Sequence, residues 1–286
     1  MTGAGAAPDG PSHRERGAAD PAPSARPRHR GGWYAAAVLG ALLVLVPLGL
    51  RLWSQGTVHS RPLAGGSLGH PVRAVEIDAG GAELTVAPGP DGRVDYRGTV
   101  RAPAGRAAVV RQWRGDTLLL AVRCEGPQLP GLGCAVTVGV TVPAALPLRL
   151  AGGSGTAVVS GLRGPVRVAG GSGTVVLRGL AGPVTAEVGS GTLRGVALTS
   201  PLAEVRAGSG QALMDFAAPP DRLTGEAGSG TVRIGLPPGT GYRTQCSARS
   251  GSCAVAGALT DPGAPRTLRL TAGSGTASAG LGFGEG

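Results

Sequence analysis

From about residue 70 onward, polar and apolar positions alternate with a period of two, and the alternation is interrupted at regular intervals by Gly-Ser-Gly or a close variant. The serines at these interruptions are Ser154, Ser172, Ser190, Ser209, Ser229, Ser250 and Ser274, with steps of 18, 18, 19, 20, 21 and 24 residues. Four residues before each serine come Leu150, Val168, Ala186, Val205, Gly225, Cys246 and Leu270; three after it come Ala157, Val175, Leu193, Ala212, Val232, Cys253 and Ala277. Arg149, Arg167, Glu187, Glu204 and Arg206 fall on the intervening positions. Period-two alternation is the mark of a half-buried strand, so one strand enters each corner and another leaves it. A second corner carries Gly and Pro, as in Gly161-Leu162-Arg163-Gly164-Pro165, where a preset or positive φ turns the chain. A repeat near twenty residues that cannot bury its own apolar face predicts an all-β, flattened single-chain β-solenoid with two strands per rung and about seven repeats. Its interior, filled by Ala, Val and Leu, is expected to be solid.

The segments before the repeats differ in kind. Residues 1–32 are rich in Pro, Ala, Gly and Arg, which predicts a disordered tail. Residues 33–53 hold an uncharged run from Trp33 to Leu50, and about 20 apolar residues span a hydrocarbon core of ~30 Å, so one transmembrane helix is expected there. Arg26, Arg28 and Arg30 precede the run and Arg51 follows it, which places the tail in the cytoplasm and the remainder of the chain outside a cell membrane crossed once. A cleaved signal peptide is the rival. The run exceeds the usual 7–15 residues of a signal core, and no Ala-x-Ala site follows it. Residues 54–70 then form a linker, 71–142 a non-repeating β cap, and 143–286 the repeats.

Composition narrows the chemistry. All 27 basic residues are arginine and the chain has no lysine or asparagine, which points to a GC-rich genome and excludes N-glycosylation. After residue 53 there are 21 arginines against 14 acidic side chains. Such a surface can attract anionic lipid heads or acidic wall polymers, although codon bias alone also produces it. Outward Arg167, Arg178 and Arg194 are the candidate binding surface, with no nucleic acid expected. Cys124, Cys134, Cys246 and Cys253 allow three pairings. Inward-facing sulfurs favour the local pairs Cys124–Cys134 and Cys246–Cys253, which an oxidising compartment permits. Neither pair has metal-site spacing, so no metal or other cofactor is expected.

An enzyme is not expected either. His13, His29, His59 and His70 all precede the folded region, so no Ser-His or Cys-His pair assembles within it. The corner serines do not match Gly-x-Ser-x-Gly, because Thr156 and Thr174 stand at the fifth position. No Gly-Lys-Ser/Thr follows them, and the aspartates of calcium-binding β-rolls are absent. Structural turns are the expected role of the seven serines.

The stretch Val140-Thr141-Val142-Pro143-Ala144-Ala145-Leu146-Pro147-Leu148-Arg149-Leu150, followed by Gly153-Ser154-Gly155-Thr156, resembles the bacterial putative-adhesin family, a domain family of unknown function with Gly-Ser-Gly-Asp turns. Val72 to Asp78 and Ala82 to Gly89 extend the likeness over roughly residues 70–286. Threonine replaces the family's aspartate in most turns. The resemblance implies a β-solenoid hung from a single membrane anchor, and it supplies no active site. Two functions are compatible with it: a membrane-anchored module contacting envelope components or another envelope protein, and an envelope-stress signalling accessory acting through its cytoplasmic tail.

Overall fold

The computed structural model describes residues 38–47, 60–67, 71–101, 106–125 and 135–282. Residues 38–47 are helical and exposed. Among the described residues no helix is long and apolar enough to cross a membrane. The rest of the expected span at 33–53, the tail at 1–32 and residues 54–59 and 68–70 of the expected linker lie outside the described residues, while residues 60–66 of that linker form a strand paired in a sheet.

Everything else is built from strands. β1 (Ser60–Gly66), β2 (Ala74–Gly80), β3 (Glu83–Gly89), β4 (Asp95–Arg101), β5 (Arg106–Arg114), β6 (Thr117–Glu125) and β7 (Ala135–Pro143) come first. Seven pairs follow: β8 (Leu148–Gly152) with β9 (Thr156–Ser160), β10 (Val166–Gly170) with β11 (Thr174–Arg178), β12 (Val184–Val188) with β13 (Thr192–Leu198), and β14 (Leu202–Ala207) with β15 (Gln211–Phe216). The last three are β16 (Arg222–Ala227) with β17 (Thr231–Leu236), β18 (Arg243–Ala248) with β19 (Ser252–Val255), and β20 (Thr267–Ala272) with β21 (Thr276–Leu281). The first strand of every pair joins a ten-stranded sheet and the second an eleven-stranded sheet. Both sheets are mixed: parallel through the pairs and antiparallel where β1 meets β4, β4 meets β7 and β5 meets β6.

Register follows the alternation. Val166 pairs with Leu148 and Val184, and Val175 with Ala157 and Leu193, so inward side chains meet inward side chains all along each sheet. Leu150, Val168, Val205 and Leu270 from one sheet and Val175, Leu193, Met214 and Ile234 from the other are buried in a common core. Leu162, Leu180 and Leu198 are fully buried beside the second corner. Each such burial contributes about 1.5–3 kcal/mol. The sheets continue through residue 143 without a break, since β2 pairs with β8 and β3 with β9.

Chain order and spatial order part company at the distal end. The sheets close as β16-β20-β18 and β17-β21-β19, so the C-terminal pair is inserted between the two pairs that precede it in sequence. The long steps to Ser250 and Ser274 are the trace of this detour. The chain runs outward to β18 and β19 and passes a 3-10 turn at Gly257–Leu259. It then returns, with Tyr242 and Leu259 fully buried beneath the connection.

The insertion leaves β18 and β19 outermost, and this changes the setting of the cysteines. Cys246 is exposed and Cys253 half-buried, because no further strand pair covers their inward face. Cys124 is exposed as well, next to the last residue of β6. The expectation that these sulfurs sit in the core is therefore corrected, while the bond between Cys246 and Cys253 is present, with Cα atoms 5.8 Å apart. Cys124 is also disulfide-bonded, and Cys134 lies outside the described residues.

Candidate binding surface

The Gly-Ser corners stack into one continuous backbone ladder. Ser172 N–H and Gly173 N–H both donate to the Gly153 carbonyl, at 3.1 and 2.9 Å, and Thr174 N–H donates to Gly155 at 3.0 Å. The same pattern carries on through Ser190, Ser209, Ser229, Ser274 and finally Ser250. All seven serine side chains are exposed, and among the described residues none of their hydroxyls has a protein partner. The glycine after each serine is held by contact. A Cβ on Gly155, Gly173 or Gly191 would strike the carbonyl oxygen of the residue stacked beneath it, Ala82, Gly155 or Gly173 respectively. None of these corner glycines has positive φ, so close approach between strands, and not a left-handed backbone, is what excludes a side chain.

Left-handed backbone occurs at the opposite corner. Gly161, Gly179 and Ala197 have φ of 67°, 55° and 52° at equivalent positions, eighteen residues apart. Ala197 is the only non-glycine with positive φ among the described residues and lies within the register shift between Gly195 and Leu198.

Arg167, Arg178 and Arg194 are all exposed, but they do not form one surface. Arg167 lies on β10 in the ten-stranded sheet, whereas Arg178 on β11 and Arg194 on β13 lie on the outer face of the other sheet. In mid-sheet, Arg206 is neutralised by Glu204 at 2.7 Å and Glu226 at 3.1 Å. Trp113 is half-buried on β5 and packs against the core. Among the described residues no group of His, Cys, Asp and Glu has the arrangement of a metal site.

Alternation alone did not single out the distal part of the ten-stranded sheet. There Arg222, Arg243 and Arg269 line a groove of about 550 Å³ on the outer face. Tyr242, which precedes Arg243 in the chain, is fully buried with its hydroxyl unpartnered. Burial pushes the phenol up to about 12, opposed by the Arg266 guanidinium and reinforced by Asp221.

No protein-family model and no curated protein matches the chain. Solved structures with a partial likeness include a putative adhesin from Bacteroides fragilis, at 13% identity and a TM-score of 0.38, over 77% of this chain and 97% of that one. A putative cell adhesion protein from Clostridium sporogenes matches at 8% identity and 0.35, over 77% and 99%. A putative lipid binding protein from Parabacteroides distasonis matches at 15% and 0.42, over 77% and 97%. Likeness this distant leaves the function to be argued from the residues of this chain.

Proposed function

We propose that the chain is a non-enzymatic, membrane-anchored, extracytoplasmic module of adhesin type that contacts envelope components or a partner protein through the outer faces of its sheets. The observation that carries this reading is the register. Each outward position is repeated strand after strand, so the filled core displays long rows of exposed side chains, a geometry suited to extended partners. We read the two sheets as opposite walls of a flattened β-solenoid with two strands per rung, on the strength of the parallel pairing of residues eighteen apart in β8, β10 and β12. The anchor is inferred from the uncharged run after Trp33, and the orientation, with the N-terminus cytoplasmic, from the arginines that precede it.

The test is a sedimentation assay with isolated cell envelopes and the full chain, combined with protease treatment of intact spheroplasts. The module reading expects co-sedimentation and removal of the β region by external protease. Protection of residues 71–286, or a chain that stays in the supernatant, contradicts it.

A further inference from the structure

Three strands end the ten-stranded sheet, in the order β16, β20, β18. Across them Arg222 pairs with Thr267 and Thr267 with Arg243, while in the next outward row Thr224 pairs with Arg269 and Arg269 with Gln245. The three arginines are therefore staggered, each flanked on the neighbouring strands by uncharged residues. All three are exposed, and none belongs to an ion pair among the described residues. No carboxylate lines the groove they share with Thr224, Gln245 and Thr267. Asp221 beside it faces Arg266 at 3.8 Å, and Glu226 is taken by Arg206.

The stagger is a product of the inserted strand pair. Stacked in chain order, Arg222 and Arg243 would stand on adjacent strands about 4.8 Å apart, and like charges directly opposite are destabilising. With β20 between them they lie roughly 9.6 Å apart, at two inter-strand spacings. Their charges remain uncompensated, with space between them for an anion. Guanidinium forks present paired N–H donors to phosphate oxygens. The threonine hydroxyls and the Gln245 amide supply neutral hydrogen bonds alongside. The volume is that of a site for a ligand of small-molecule size or a short chain segment.

We propose that this groove binds a linear polyanion through its phosphate groups, with Arg222, Arg243 and Arg269 as the phosphate ligands. The assignment of such a polymer to the cell envelope rests on the function proposed above; the site itself rests on the groove. A bilayer is the competing source of phosphate, but guanidiniums lining a concavity suit a chain that can enter it better than a continuous surface.

The experiment measures binding of fluorescent sodium polyphosphate by the full chain reconstituted without detergent in phosphatidylcholine nanodiscs, at several salt concentrations. Arg222→Gln/Arg243→Gln/Arg269→Gln is compared with a control of equal net charge on exposed arginines outside the groove, Arg149→Gln/Arg163→Gln/Arg233→Gln. The groove variant is expected to bind at least about tenfold more weakly, with a salt slope reduced by about 2, since each lost phosphate contact removes ~0.7–0.9 from it. The control is expected to change less than about threefold, as exposed charges outside the site act only through the screened long-range field. Equal weakening of both variants overturns the site. So does equally tight binding of poly-glutamate, and so does competition by phosphatidylglycerol vesicles stronger than that by unlabelled polyphosphate. The substitutions are on exposed side chains, and an unchanged melting temperature confirms that the fold is intact. If wild-type chain binds polyphosphate yet does not sediment with envelopes, the groove stands and the envelope reading falls. If it sediments with envelopes and ignores polyphosphate, the reverse holds.

Discussion

Ala197 holds φ at 52°, the same left-handed backbone that Gly179 holds at 55° one strand pair earlier. The corner demands this conformation whichever residue occupies it, and alanine bears a steric cost of roughly 1–2 kcal/mol there. Ala197→Gly removes that cost while adding freedom to the unfolded chain, so a net gain of about 0.5–1 kcal/mol is expected in chemical denaturation. Gly179→Ala is the reciprocal test. Nothing lies within 4 Å of a Cβ at that position, so the loss, about 1 kcal/mol, is purely backbone. A stabilising Gly179→Ala would show that the corner does not hold this backbone in solution.

The Gly-Ser corners separate steric contact from surface chemistry within two adjacent residues. Gly173→Ala drives a methyl group into the Gly155 carbonyl of the strand pair beneath, and overpacking of this kind costs about 1–3 kcal/mol. Ser172→Ala removes an exposed, unpartnered hydroxyl and is expected to change stability by under ~0.5 kcal/mol. Thermal melts of the two variants check the contrast. Equal melting temperatures would mean that the corners do not stack as closely as their hydrogen bonds indicate.

Tyr242 gives the distal end a dependence on alkaline pH. Its phenol is pushed from 10.0 up to about 12, mainly by burial, so the folded state keeps a proton that the unfolded state has released. The stabilisation is present in full below about pH 10 and is lost as pH rises towards 12, by an amount on the order of 2–3 kcal/mol. Tyr242→Phe is expected to flatten stability across that window. At neutral pH it should cost little, because the hydroxyl has no partner to lose. Urea titrations at pH 8 and pH 11 on both proteins measure the difference.

Much of this architecture is written in local residue pattern. Inward positions such as Val168, Val175 and Met214 are buried where period-two alternation puts them, because a strand can turn only every second side chain inward. Position relative to a serine corner assigns Arg167 to one sheet and Arg178 and Arg194 to the other, since the first precedes a corner and the others follow one. Strand order is a different matter. A parallel strand with the right parity can pair with any neighbour; Leu223 takes Leu268 as its inward companion, where the residue at the same position in β18 is Thr244. The polarity of Thr244 is a local sign that β18 belongs outermost, and the rest of what distinguishes the outcomes is non-local: the length of the connection between β19 and β20, the burial of Tyr242 and Leu259, and the separation of Arg222 from Arg243. The groove depends on that order, so the pattern within a single repeat does not reveal it.

The disulfide between Cys246 and Cys253 joins the two outermost strands of the distal end, where neither sheet has a further neighbour. Terminal strand pairs of a stack open most readily, since they are bound on one side only. Closing a loop over a separation of seven residues stabilises by about 2–3 kcal/mol in the chain-entropy account, and that contribution falls on the pair with the fewest other contacts. Cys246→Ser/Cys253→Ser is therefore expected to raise hydrogen exchange across β18 and β19 by one to two orders of magnitude, at ~1.4 kcal/mol per tenfold, while β10 to β15 remain protected. Hydrogen-exchange mass spectrometry resolves the two regions. Uniform loss of protection along both sheets would show that the end pair is a cooperative part of the whole core. Unchanged exchange in β18 and β19 would show that the packing of Leu259 and Tyr242 alone keeps the end closed.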